Sequence, residues 1–167
     1  MQEWLKTKIA VWSVMIIIIT ALLMLIFNAN PKMPNKDNIQ KKLSEDQDAV
    51  TIVLEYLMGL DNKNVYIDKP DGTMFIGYEY EKITDAQVTE ATKKLIGTDG
   101  YFTICKEGDT VYFELWRGTS DINCGFAYSA NGRSTIQMEF LTEVVELEQK
   151  NWFYCVCDYE EWRTRQP

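Results

Sequence analysis

No histidine occurs anywhere in the 167 residues. That single absence removes a Ser-His-Asp or Cys-His relay, a histidine-ligated zinc or haem, and a histidine pH switch from the chemistry this polypeptide can supply. Basic residues are scarce as well, 17 Lys and Arg against 25 Asp and Glu, for a formal net charge of −8. The deficit is concentrated after residue 42, where 23 acidic residues face 11 basic ones. An acidic surface of this kind is repelled by phosphate backbones, so no nucleic-acid partner is expected. Glycine-rich phosphate loops, a G-x-S-x-G elbow and an H-E-x-x-H pair are also missing. The loop Asp61-Asn62-Lys63-Asn64 fails as a calcium site, because lysine stands at its third position and no glycine at its sixth. No cofactor is expected.

Four cysteines are present, Cys105, Cys124, Cys155 and Cys157. The C-x-C spacing of the last pair is not that of a zinc knuckle, and the other two stand alone. They read first as small buried side chains of a sheet. In an oxidising compartment the alternative is a disulfide joining Cys105 or Cys124 to one of Cys155 and Cys157.

What the sequence does contain begins with an uncharged run of nineteen residues, 9–27, IAVWSVMIIIITALLMLIF. At about 1.5 Å per residue it is roughly 28 Å long, close to the ~30 Å hydrocarbon core of a bilayer. A single-pass, uncleaved signal-anchor is therefore expected, with 1–8 as a short tail, the lipid bilayer as partner of 9–27, and the C-terminal domain outside the cytoplasm. Residues 28–42, NANPKMPNKDNIQKK, carry two prolines and four lysines and read as a flexible tether. The acidic domain is then 43–167.

Within that domain Ser44 and Gln47 fit a capping box, and Val50, Val53, Leu54, Leu57 and Met58 recur at helical spacing, predicting a helix over 45–58. Thr84 and Gln87 repeat the signature ahead of Val88, Ala91, Leu95 and Ile96, with Gly97 as the stop. Lys69-Pro70-Asp71-Gly72 predicts a turn between strands 65–68 and 74–80. Further strands are expected at 101–105, 110–116, 124–129, 136–141, 143–147 and 152–158. The fold class expected is α+β: a single N-terminal transmembrane helix, then a small domain with a mainly antiparallel sheet backed by two helices.

Trp116, Arg117, Asp121, Tyr128 and Trp162 are the residue types that concentrate at binding hot spots and form the candidate interaction face. Glu79, Glu81, Glu114, Asp121 and Glu139 are the acids from which a hydrolytic pair could be drawn, although nothing in the sequence singles out two. The functional expectation is a membrane-anchored, non-enzymatic protein-interaction domain at the cell envelope. The alternatives are a small acidic inhibitor or immunity-type protein directed at a basic toxin, and a carboxylate-dependent hydrolase.

Overall fold

The computed structural model describes residues 32–61, 64–118, 121–133, 136 and 138–165, and, of the first thirty-one, only 12, 15, 16 and 18–20. The chain divides into two compact units, Met1–Lys32 and Met33–Pro167. In the first, Trp12, Met15, Ile16, Ile18, Ile19 and Thr20 are helical and exposed, and the Thr20 hydroxyl donates to the Ile16 carbonyl at 2.8 Å. The rest of the 9–27 run lies outside the described residues. Among the described residues no helix is long and apolar enough to cross a membrane. That finding overturns the expected single-pass anchor and, with it, the envelope localisation; the expected fold class falls too.

The second unit is built on one eight-stranded, wholly antiparallel sheet. In chain order its strands are β1 Asn64–Ile67, β2 Thr73–Ile76, β3 Glu79–Lys82, β4 Thr103–Glu107, β5 Thr110–Arg117, β6 Ile122–Ser129, β7 Leu141–Glu146 and β8 Trp152–Asp158. Across the sheet they run β3-β2-β1-β4-β5-β6-β8-β7. The expected strand 74–80 is in fact a second hairpin, because Gly77, at φ 62°, turns the chain back on itself. The expected strand 136–141 does not pair, and only Leu141 at its end joins a ladder.

Helices are more numerous than the two expected. α1 spans Lys36–Glu45, α2 Gln47–Met58, α3 Ala86–Thr92 and α4 Tyr159–Arg165, with a π-helical segment Lys93–Thr98 continuing α3. The tether reading therefore meets a helix in its second half. Asn35 and Asn38 cap α1 reciprocally, each side chain accepting from the other's backbone N–H, which satisfies two donors that the helix start leaves free. Ser44 is consumed inside α1, its hydroxyl bonding the Gln40 carbonyl, so the break falls at Asp46 instead. At α3 the cap is Asp85, not Thr84: its carboxylate accepts from the Gln87 and Val88 N–H groups at 2.8 and 3.1 Å.

One face of the sheet carries the main core. Ile39 and Leu43 of α1, Val50, Val53 and Leu57 of α2, and Val88 and Leu95 pack on Ile67, Ile104, Val111, Phe113, Phe126 and Trp152. Phe113 and Phe126, cross-strand partners, stack with ring centroids 5.1 Å apart, and Trp152 meets Phe126 edge-on at 5.4 Å. Gln40 ties α1 to the β7–β8 turn, accepting from the Glu148 N–H at 2.9 Å and donating to the Gln149 side chain. Among the described residues the opposite face has no layer of helices. A smaller cluster covers it, in which Met138, Phe140 and Tyr159 lie over Tyr112, Ala127, Phe153, Cys155 and Cys157.

Candidate functional site

The open face holds a cavity of about 500 Å³, within the range of small-ligand sites. Strand pairing decides what lines it. Tyr66 of β1 stands opposite Phe75 of β2 on one side and Cys105 of β4 on the other, and Cys105 stands opposite Tyr112 of β5. Opposed residues share a face, so Phe75, Tyr66, Cys105 and Tyr112 form a row across the floor. The next row contains Thr103 and Glu114, which also pair. Phe140 closes the far side, edge-on to Tyr112 at 6.2 Å and stacked on Tyr159 at 5.6 Å.

At the polar end sits an ion pair that regular strand geometry would forbid. Glu114 and Arg117 are three residues apart and should point to opposite faces. A bulge between Glu114 and Trp116 inserts one residue, so that Leu115 and Trp116 both turn to the helix-covered core and Arg117 comes round beside Glu114. The guanidinium grips both carboxylate oxygens, Nε to Oε1 at 2.7 Å and Nη2 to Oε2 at 3.1 Å, and donates from Nη2 to the Thr103 hydroxyl at 3.3 Å. It also lies over the Phe102 ring, 5.1 Å from the centroid. The Glu114 side chain is 5% exposed and that of Arg117 47%. Hydrogen bonding to Glu114 raises the Arg117 pKa, which keeps it charged.

The charged residues at the cavity balance in number, Glu107 and Glu114 against Lys106 and Arg117, and with Glu114 bonded to Arg117 it is Glu107 that is left without an ion pair among the described residues. Burial and then Glu139 push the Glu107 carboxyl up. Burial first, and then the charges of Glu114 and Glu107 among others, raise Cys105; burial and then neighbours including Glu114 raise Tyr112 and Tyr159. Lys106 turns to the helix-covered side with its strand partners Val65 and Val111, and its Nζ donates to the Leu60 carbonyl at 2.5 Å beyond the end of α2, where the helix dipole favours a cation. The Tyr112 hydroxyl is buried and has no nitrogen or oxygen partner among the described residues; the Cys157 thiol, a weak one, is the polar group closest to bonding it.

The five residues expected to form one interaction face are dispersed. Arg117 is at the cavity. Trp116 and Tyr128 pack against the helix-side core, Tyr128 edge-on to Trp152 at 5.2 Å. Asp121 pairs with Arg163 of α4 and accepts the Tyr159 N–H on its carbonyl at 3.0 Å. Trp162 is half-buried on α4. Glu79 and Glu81 sit on the exposed edge strand β3.

All four cysteines are free thiols. Cys124 belongs to the helix-side core, the other three to the opposite face. Cys105 is separated from Cys155 and Cys157 by strands β5 and β6, three spacings of ~4.8 Å and well beyond bridging distance. Among the described residues no group of cysteines and carboxylates could hold a metal ion.

Sequence reasoning missed Tyr112 and Tyr66 as site residues, and named Glu114 only among the acids from which a hydrolytic pair could be drawn. The alternation of Tyr112 and Glu114 along β5 was a signal for their shared face, whereas the bulge that adds Arg117 leaves no mark in the sequence. No known protein family, no curated protein and no solved structure matches the chain.

Proposed function

We propose that this chain is a non-enzymatic recognition domain that binds a basic protein partner on the open face of its sheet. The observation that carries the reading is the cavity on that face, walled by Tyr66, Phe75 and Phe140 and edged by Glu107, a carboxylate without an ion pair among the described residues, in a chain of net charge −8. Charge complementarity selects a basic partner, and aromatic walls give its side chains desolvated contact area. An inhibitor of a basic toxin is one case of this reading. A carboxylate-dependent hydrolase would draw on Glu107 and Glu114, both on the cavity wall, but Arg117 occupies both oxygens of Glu114.

The test titrates the full chain with a lysine- and arginine-rich peptide and with an acidic peptide of equal length, at about 0.15 M salt. Binding of the basic peptide alone, weakening as salt rises, is expected. Equal binding of both, or of neither, overturns the reading.

A further inference from the structure

Asn123 of β6 stands opposite Arg117 of β5 and Cys157 of β8, and Cys157 belongs to the open-face cluster, so the Asn123 amide points to that face. It lines the cavity, is only 7% exposed, and makes no side-chain hydrogen bond among the described residues. An amide carries two donors and an acceptor, and burying them unpaired is costly. The aromatic part of the cavity adjoins this amide. The Tyr66 hydroxyl lies 3.3 Å from that of Thr103, Thr103 accepts from Arg117 at 3.3 Å, and Arg117 is the cross-strand partner of Asn123. Phe140 and Tyr159, stacked on each other, line the same space as its cover.

Charge narrows what can fill such a space. Arg117 is held by both oxygens of Glu114, so an anion finds no free cation there and meets Glu107 as well. A cation finds Glu114 occupied and, at Asn123, donors that repel it. A wholly apolar occupant would seal the amide from water without a partner. We propose that the interior of the cavity binds an uncharged, planar aromatic small molecule with an amide-like edge, its ring between Tyr66 on the floor and Phe140 in the cover. At the edge the ligand N–H donates to Asn123 Oδ1 and the ligand carbonyl accepts from Nδ2. Aromatic walls with a few converging polar groups are the usual make-up of a small-ligand pocket. This goes beyond the recognition reading, since it concerns what fills the interior whether or not a partner meets the rim at Glu107.

The experiment titrates the full chain with three compounds that share one ring system and differ in the head: 2-naphthamide, 2-naphthoate and 2-naphthylmethylammonium. The unaltered chain is compared with Asn123→Leu and Phe140→Leu, all matched for folding by thermal melting. The unaltered chain is expected to bind the amide about tenfold more tightly than either charged compound. Asn123→Leu should lose about that factor for the amide and leave the weaker binding of the other two unchanged, which a general loss of structure would not do. Phe140→Leu should weaken all three together. No binding of the amide by the unaltered chain, equal affinity for the three heads, or full amide affinity in either variant overturns the proposal. The basic-peptide titration is independent of these results, so failure there overturns the recognition reading and leaves this one standing.

Discussion

The two faces of the sheet are made by the same strands and put to different uses. On the helix-covered face the strands meet α1, α2 and α3 through side chains that are almost wholly buried, with Phe113, Phe126, Ile104 and Val111 at their centre. On the other, a few residues from 136–141 and the start of α4 supply the cover, and the area they leave becomes the cavity. The difference teaches where the free energy of folding is concentrated. A domain that buries enough apolar area on one face can leave the second face incomplete, with an ion pair, thiols and an orphan hydroxyl in place of hydrocarbon.

The sharpest way to break that comparison is to truncate one aromatic on each face. Phe126→Ala should cost about 3–5 kcal/mol, since a fully buried ring stacked on Phe113 and Trp152 leaves a void the sheet cannot close. Phe140→Ala, half-buried over the cavity, should cost about 1–2 kcal/mol, because water can enter the space it vacates. Urea unfolding of both variants measures the difference, and equal losses would mean that the second face is as much a core as the first.

Next in size is Arg117→Ala. It strips the ion-pair partner from a carboxylate that is 5% exposed, while the arginine itself is half in water. Screening of the exposed partner reduces the usual penalty for an orphaned buried charge, and about 2 kcal/mol is expected. Adding Glu114→Gln to Arg117→Ala should restore part of that loss, as a neutral amide is cheaper to leave unpaired. A double variant no more stable than Arg117→Ala alone would show that the pair's charge is irrelevant to the fold.

How much of this was legible beforehand depends on which forces wrote the pattern. Period-two alternation marks β8 well: Trp152, Tyr154 and Val156 serve one core and Phe153, Cys155 and Cys157 the other, so both apolar faces are covered. The same alternation misleads at Ile136, Met138 and Phe140, which turn toward the open face without pairing in a ladder. Capping signatures fail where a rival acceptor stands one residue away, as Asp85 does beside Thr84. The cavity was least legible. Its polar end depends on a bulge, and its walls on strands that are distant in sequence and adjacent only in the sheet. Gly125 shows how tight that pairing is: a Cβ there would stand 1.9 Å from the Phe113 carbonyl oxygen, a constraint no single-chain pattern reveals.

Thiols on both faces provide a pH test of the comparison. Burial is the largest cause in each case and pushes Cys124, on the helix side, and Cys157, on the open side, up to about 12. The unfolded chain releases these protons near pH 8.5–9, so between about pH 9 and 12 the folded state holds more protons than the unfolded one. Stability is complete below that window and falls as pH rises through it, by up to about 1.4 kcal/mol per pH unit for each group. Cys124→Ala and Cys157→Ala should each flatten the alkaline limb of a stability–pH curve. A limb of unchanged slope in Cys157→Ala alone would mean that the open face admits enough water to let its thiol ionise.

The finest distinction between the faces lies in two tyrosine hydroxyls. Tyr101, on the helix side, donates to the buried Asp46 carboxylate at 2.9 Å, and the Lys42 ammonium reaches the same oxygen at 2.8 Å, fixing the break between α1 and α2. Removing that hydroxyl in Tyr101→Phe deprives a buried charge of one of its two partners and should cost about 1–2 kcal/mol. Tyr112 is equally buried, yet among the described residues its hydroxyl bonds no nitrogen or oxygen, so Tyr112→Phe removes a desolvated polar group and no strong hydrogen bond. Its stability should stay level or rise by less than about 1 kcal/mol. Thermal melts of the two variants read the contrast directly. If Tyr112→Phe were as costly as Tyr101→Phe, the contact of its hydroxyl with the Cys157 thiol would be worth as much as a charged hydrogen bond.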